Sequence, residues 1–212
     1  MPDYIKDPVR IEEESFKQIK ALTDLSGFDE QQQQVVMRLV HTCGNPDIAQ
    51  QVKISSEAIT KGIKAIENRL SIYCDVEMVK QGLTKRYLNI EPKCFLNHPS
   101  VAEKAKKNSE TRTMTALQYW GEDICDGIAI IGNAPTALFR LIENIEKGKA
   151  KPALVIGIPV GFVGAAESKE YLWRQYQSLG IECITIIGRT GGSALAAGAF
   201  NTLVRLQQGL RF

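Results

Sequence analysis

Five short apolar, β-prone runs, at residues 71–76, 93–96, 127–131, 153–158 and 181–187, are each followed by a turn and then by a helical pattern. The runs are continuous instead of alternating with polar residues, which suits strands buried on both faces. A strand, a crossover helix and another strand, repeated, give right-handed connections and a parallel sheet with helices on both sides. The crossover helices are expected at about 77–81, 99–109, 112–120, 135–146, 167–178 and 193–207.

The first 70 residues read differently, as helix alone. Asp7 and Pro8 form a cap and a first-turn proline, after which Ile11, Ser15, Ile19 and Leu22 recur on one helical face. Ser15 sits on that stripe, where a small residue can bond its hydroxyl back to a carbonyl one turn earlier. A second helix starts near Asp29, turns Val35, Val36, Leu39, Val40 and Cys43 inward and ends at Gly44, with Gln31 to Gln34 on an exposed face. A third, at 56–70, places Ile59, Ile63 and Ile66 on one side. The reading is one α/β unit over 1–212, with 1–70 a helical addition to an α/β part at 71–212.

Composition restricts what such a unit does. The chain has 212 residues, with 26 Lys+Arg against 24 Asp+Glu and a net charge of +2, and no basic run of the kind that sequence-independent nucleic-acid binding needs. The longest stretches without a charge, 152–166 and 190–204, fall short of the roughly 20 apolar residues of a membrane span. The first ten residues carry acids and prolines where a secretory signal has basic and then apolar ones. Five well-separated cysteines form no metal or redox spacing and read as small buried hydrophobes. A cytoplasmic protein is expected.

In a doubly wound sheet, ligands bind beyond the carboxyl ends of the strands. Three loops there are rich in glycine and proline: Gly132-Asn133-Ala134-Pro135-Thr136-Ala137-Leu138, Pro159-Val160-Gly161-Phe162-Val163-Gly164-Ala165-Ala166-Glu167-Ser168-Lys169, and Gly188-Arg189-Thr190-Gly191-Gly192-Ser193-Ala194. Each places unpaired backbone N–H groups before a helix and favours an anionic ligand. Asn133, Thr136, Gly161 and Ser193 are the candidate binding residues, with Phe162 as an apolar wall. Neither G-x-G-x-x-G nor a phosphate loop is present. The expectation is a cleft that takes several carboxylates through helix N-termini, Arg112 and Arg189.

Of the two histidines, His98 reads as a loop residue before Pro99. His41 lies in the last turn of the second helix, where the macrodipole favours a protonated ring and hence a proton donor. A histidine that caps a terminal carbonyl is the alternative reading of the same position. Two distant histidines build no metal site, and neither H-E-x-x-H nor G-x-S-x-G occurs.

Taken with Arg38-Leu39-Val40-His41-Thr42-Cys43-Gly44, the three loops resemble the precorrin-8X methylmutase family of cobalamin biosynthesis, in order along nearly the whole chain. The resemblance implies a three-layer, flavodoxin-like domain with a five-stranded parallel sheet, a homodimer, and a tetrapyrrole bound near the subunit interface. It implies an isomerase that moves a methyl group from ring carbon eleven to ring carbon twelve of precorrin-8, giving hydrogenobyrinic acid, or cobyrinic acid when cobalt is already inserted. His41 would be the proton donor or acceptor, and Ser15, Thr84 and Arg112 substrate contacts. The family's usual basic residue before the two glycines of the third loop is Thr190 here, preceded by Arg189. An intramolecular shift needs no methyl donor and no redox cofactor, so none is expected. A corrinoid carrier is the competing class, but its D-x-H-x-x-G pattern meets Leu39 where the aspartate belongs.

Overall fold

The computed structural model describes residues 1, 4–149 and 151–212. Helices α1 (Pro8–Leu22) and α2 (Glu30–Cys43) lead into a short 3-10 turn, strand β1 (Val52–Ile54) and α3 (Ala58–Glu67). The rest runs β2 (Ile72–Cys74), α4 (Glu77–Gly82), β3 (Lys93–Cys94), α5 (Val101–Asn108), α6 (Arg112–Ala116), β4 (Ile128–Ile131), α7 (Pro135–Glu146), β5 (Leu154–Gly157), α8 (Ala165–Leu179), β6 (Glu182–Ile186) and α9 (Ser193–Gln207).

The fold is mixed α/β. Its sheet has six strands in the order β1-β6-β5-β4-β2-β3. Strands β2 to β6 are mutually parallel, whereas β1 pairs antiparallel with β6, Val52 opposite Ile186 and Ile54 opposite Ile184. This corrects the five-stranded, all-parallel expectation and the purely helical reading of residues 1–70. A three-residue edge strand has too little length to show a pattern. It is fixed by partners distant in sequence, and the next residue, Ser55, adds a tie to the same region by accepting on its hydroxyl from the Cys183 N–H at 2.8 Å.

Successive strand residues point to opposite faces. Ile72, Ile128, Ile130, Leu154, Ile156, Ile184 and Ile186 share one core with residues of α1, α2, α3, α4 and α9. Tyr73, Ala129, Ile131, Val155 and Cys183 pack under α7, α8 and the segment carrying Leu117 and Trp120. The sheet therefore lies between two helical layers, and its unalternating apolar strands follow from burial on both sides.

Local signals set several helix ends. Asp7 accepts from the Arg10 N–H at 2.8 Å, and Asp29 with Gln32 forms a reciprocal capping box. Gly44 closes α2 at φ 67°, in the left-handed region where glycine carries no Cβ penalty. The buried side of α1 departs from expectation: Phe16 and Ile19 are buried, while Ile11 and Leu22 are 43% and 68% exposed. α1 packs mainly on α2 and the chain's last residues, so one narrow stripe suffices and its other apolar residues face outward. Cys43 and Cys125 are also exposed, unlike buried Cys74 and Cys183, and Gln34, expected on an outer face, is buried where it accepts from the Phe212 N–H at 2.7 Å. No helix among the described residues is long and apolar enough to cross a membrane.

Candidate functional site

The order of strand pairing reverses between β2 and β4, the place where α/β sheets open a crevice. Asp75, immediately after β2 and 1% exposed, fills that point. Its carboxylate accepts from the N–H groups of Gly132, Asn133 and Ala134 at 3.0, 2.9 and 2.9 Å. Burial pushes the Asp75 carboxyl up from its usual value, and the backbone donors pull against that shift. Asp75 carries no signal in the sequence, because it falls inside the apolar run at 71–76 and belongs to no motif. Its presence also corrects the picture of free N–H groups, since three of them in the first loop are already bound.

The second and third loops are tied to each other, using one N–H group of each. Gly192 N–H donates to the Ile158 carbonyl at 2.8 Å, and Gly161 N–H reaches the Arg189 carbonyl at 3.5 Å. Arg189 lies 5.7 Å over the ring of Phe162, which is 86% exposed beside Val163 at 89%. Phe162 thus stands at the surface with apolar neighbours instead of lining an enclosed wall. Ser193 is buried at the first position of α9.

Arg112 opens α6, and its guanidinium donates to the Leu96 carbonyl and to Asn97 Oδ1, both at 3.1 Å. Thr111, the cap of α6, shares a 2.7 Å hydroxyl contact with Thr136 in the first turn of α7. The carboxyl edge therefore carries Arg112, Asn133 and Thr136 on neighbouring turns.

His41 occupies a second region, at the end of α2. Its ring stacks on Phe16 of α1, centroids 5.2 Å apart and planes 8° from parallel, and Phe16 stacks on Phe212 at 3.9 Å. Arg38, one turn before His41, lies over both phenylalanine rings and reaches Glu12 at 3.4 Å; Arg205 of α9 approaches the same Glu12 oxygen at 3.8 Å. Partial burial first, and the Arg38 charge second, hold the His41 pKa below its ordinary value, with Glu12 opposing. Burial and a cation one turn away thus act against the helix end, whose partial negative charge favours the protonated ring. Arg38→Gln should move the His41 titration, followed by NMR of its ring protons, up toward the ordinary value. An unchanged midpoint would remove Arg38 as a cause.

A cavity of about 410 Å³ lies beside this second region, walled by Arg38 and Thr42 of α2, Gly82 of α4, and Ala194, Gly198 and Arg205 of α9. Asn201, also on its wall, accepts from the Thr84 N–H at 2.8 Å and donates to the Gly82 carbonyl at 2.9 Å, so α9 sets where Thr84 stands. Ser15 is not on these walls, and its hydroxyl donates to the Ile11 carbonyl at 2.6 Å, the local arrangement open to it from sequence. His98, as expected of a structural residue, stacks on Tyr119 at 4.0 Å. Among the described residues no group of three or more His, Cys, Asp or Glu is placed to hold a metal ion.

A sequence model of the family Precorrin-8X methylmutase matches residues 10–206. The precorrin-8X methylmutase of Pseudomonas aeruginosa is 40% identical over 205 residues, covering 96% of this chain and 98% of its own. The cobalt-precorrin-8 methylmutase of Methanocaldococcus jannaschii is 38% identical over 180 residues, 85% of this chain and 82% of that one. A solved precorrin-8X methyl mutase from Thermus thermophilus superposes with a TM-score of 0.82 at 34% identity, covering 94% of this chain and 98% of the other. With sequence and fold agreeing over nearly its full length, the chain belongs to the precorrin-8X methylmutase family.

Proposed function

We propose that this methylmutase, an isomerase of cobalamin biosynthesis, moves the methyl group from ring carbon eleven to ring carbon twelve of precorrin-8X or cobalt-precorrin-8, with His41 giving and recovering the proton that assists the shift. The observation that carries the reading is the cluster at the end of α2: an exposed histidine braced on Phe16, with Arg38 one turn away on the wall of a cavity that reaches the start of α9. A neutral imidazole beside a guanidinium gains a proton when carboxylates arrive, because an anion favours the charged ring. Substrate would in this way arm its own acid. The migrating carbon stays within one molecule and the proton is returned, so substrate and product are isomers.

Ser15, Thr84, Arg112, Asn133, Thr136, Gly161 and Ser193 are the proposed substrate contacts. Thr84 is the best supported, since Asn201 ties it to the cavity wall. Arg112 keeps donors beyond the two it uses on the 96–97 loop, enough for a carboxylate arm. Ser15 would have to share its hydroxyl with the Ile11 carbonyl. The five parallel strands, taken alone, follow the order second, first, third, fourth, fifth, which supports the flavodoxin-like reading. We read 1–212 as one domain, with β1 joining its N-terminal part to the sheet.

A cavity of 410 Å³ is near the small end of the roughly 300–1,000 Å³ common for ligand sites, and a tetrapyrrole bearing several carboxylate arms exceeds it. The outward apolar residues Phe162 and Val163, and those of α1, are free to complete the wall in a homodimer. The chain's free cysteines fit a reducing, cytoplasmic setting. The test is incubation of purified protein with metal-free and cobalt-containing substrate in parallel, excess over enzyme, following the pigment's absorption. Repeated turnover of either one supports the reading. Stoichiometric binding with no conversion of either would make the protein a carrier.

A further inference from the structure

Lys169, four residues into α8, has a relative exposure of 0%. Lysine reaches such a position only with compensation, because taking an ammonium out of water is costly unless it is hydrogen-bonded or paired. The side chain extends to one described acceptor, the Thr190 carbonyl, at 2.7 Å. Burial draws its pKa down to about 8.

The carbonyl it holds lies in the third loop, at the point where that loop crosses the second. Gly191, next in sequence, runs against the Ile158 and Pro159 carbonyls so closely that any Cβ would collide with both. Gly192 then donates to the Ile158 carbonyl. Lys169 therefore grips the Thr190 side of the crossing from beneath while Gly192 grips the other, and together they set where α9 begins and where Ser193 and Ala194 stand. Ala194 is on the cavity wall. No part of the methyl shift described above uses this ammonium.

We propose that Lys169 is a positioning residue: through the Thr190 carbonyl it fixes the third loop in the shape that admits the substrate, and it touches no reacting atom. Released, the Arg189 to Gly192 segment keeps its chain connection but loses the donor that orients Thr190, so the start of α9 and the Arg189 side chain present themselves to carboxylates less well. A contact used equally by substrate and transition state appears in KM and leaves kcat.

The experiment compares Lys169→Met with Leu172→Ala in the full-length protein. Leu172, one turn further along α8 and fully buried, packs in the core with residues of β4, β5 and α7 and, among the described residues, makes no hydrogen bond to the third loop. Lys169→Met is expected to raise KM about tenfold or more with kcat within about threefold, and Leu172→Ala to lower the melting temperature with KM unchanged. If Lys169→Met does not fold, Lys169→Gln, too short to reach the carbonyl in the same way, carries the same expectation. Unchanged KM in the folded Lys169 variant, or an equal rise in Leu172→Ala, overturns the proposal. The wild-type rate measured alongside reports separately on whether the protein is a methylmutase at all.

Discussion

Replacing His41 by Asn is expected to leave the fold intact and to lower turnover by about 10²–10⁴-fold, the range that a positioned proton-transfer group contributes. The ring is exposed, and its main packing partner is the face of Phe16, so the stability change should stay small. Asparagine retains a polar, planar group against Phe16 yet cannot exchange a proton near neutral pH. Single-turnover absorption measurements separate the effects: the variant should bind substrate with near-normal affinity and fail to convert it. A fully active His41→Asn would refute the catalytic assignment, and a variant that fails to bind would recast His41 as a substrate contact. Arg38 enters the same experiment, because it holds the ring's pKa down. Arg38→Gln should shift the alkaline limb of the rate profile upward, in the direction of its effect on the ring's own titration, because a general acid loses activity as pH rises through its pKa.

Asp75→Asn is expected to destabilise the protein by about 3–5 kcal/mol and to slow turnover by at least tenfold. The carboxylate accepts from three consecutive N–H groups with no room for solvent. Hydrogen bonds to a charged acceptor contribute about 1.5–3 kcal/mol each. An amide at the same place offers one oxygen and turns an N–H₂ toward other donors, so at least one buried N–H loses its partner. The activity loss follows from position, because Asn133 belongs to the turn so held and Thr136 to the helix it starts. A displacement of 1 Å in a positioning element costs about 10²-fold. Urea denaturation gives the first number and steady-state kinetics the second. An Asp75→Asn protein with an unshifted urea midpoint would mean that the loop holds itself.

Particular residues show how far the sequence could be read. The five parallel strands were legible because burial on both faces leaves an unbroken apolar run, as in Ile128-Ala129-Ile130-Ile131. Helix ends were legible where the cap is local, as at Asp7, Asp29 and Gly44. β1 was not legible, since its three residues form a strand only by pairing with Ile184 to Ile186, over 100 positions away. The outward turn of Ile11 and Leu22 was hidden for the same kind of reason: periodicity says that a helix has an apolar face, and the neighbours available decide how wide a stripe is covered.

The site divides along the same line. Sequence by itself identified the family strings, His41 and the three loops at the strand ends, because these depend on which residues stand together along the chain. Tertiary structure alone decided the state of those groups. It placed Asp75 and the Ile158 carbonyl on N–H groups that sequence left free, set Arg38 and Phe16 against His41 and so lowered the pKa that a helix end would raise, and buried Lys169 under the third loop. Hydrogen-bond satisfaction and charge neighbours are properties of distances between remote segments, and a linear sequence does not contain those distances.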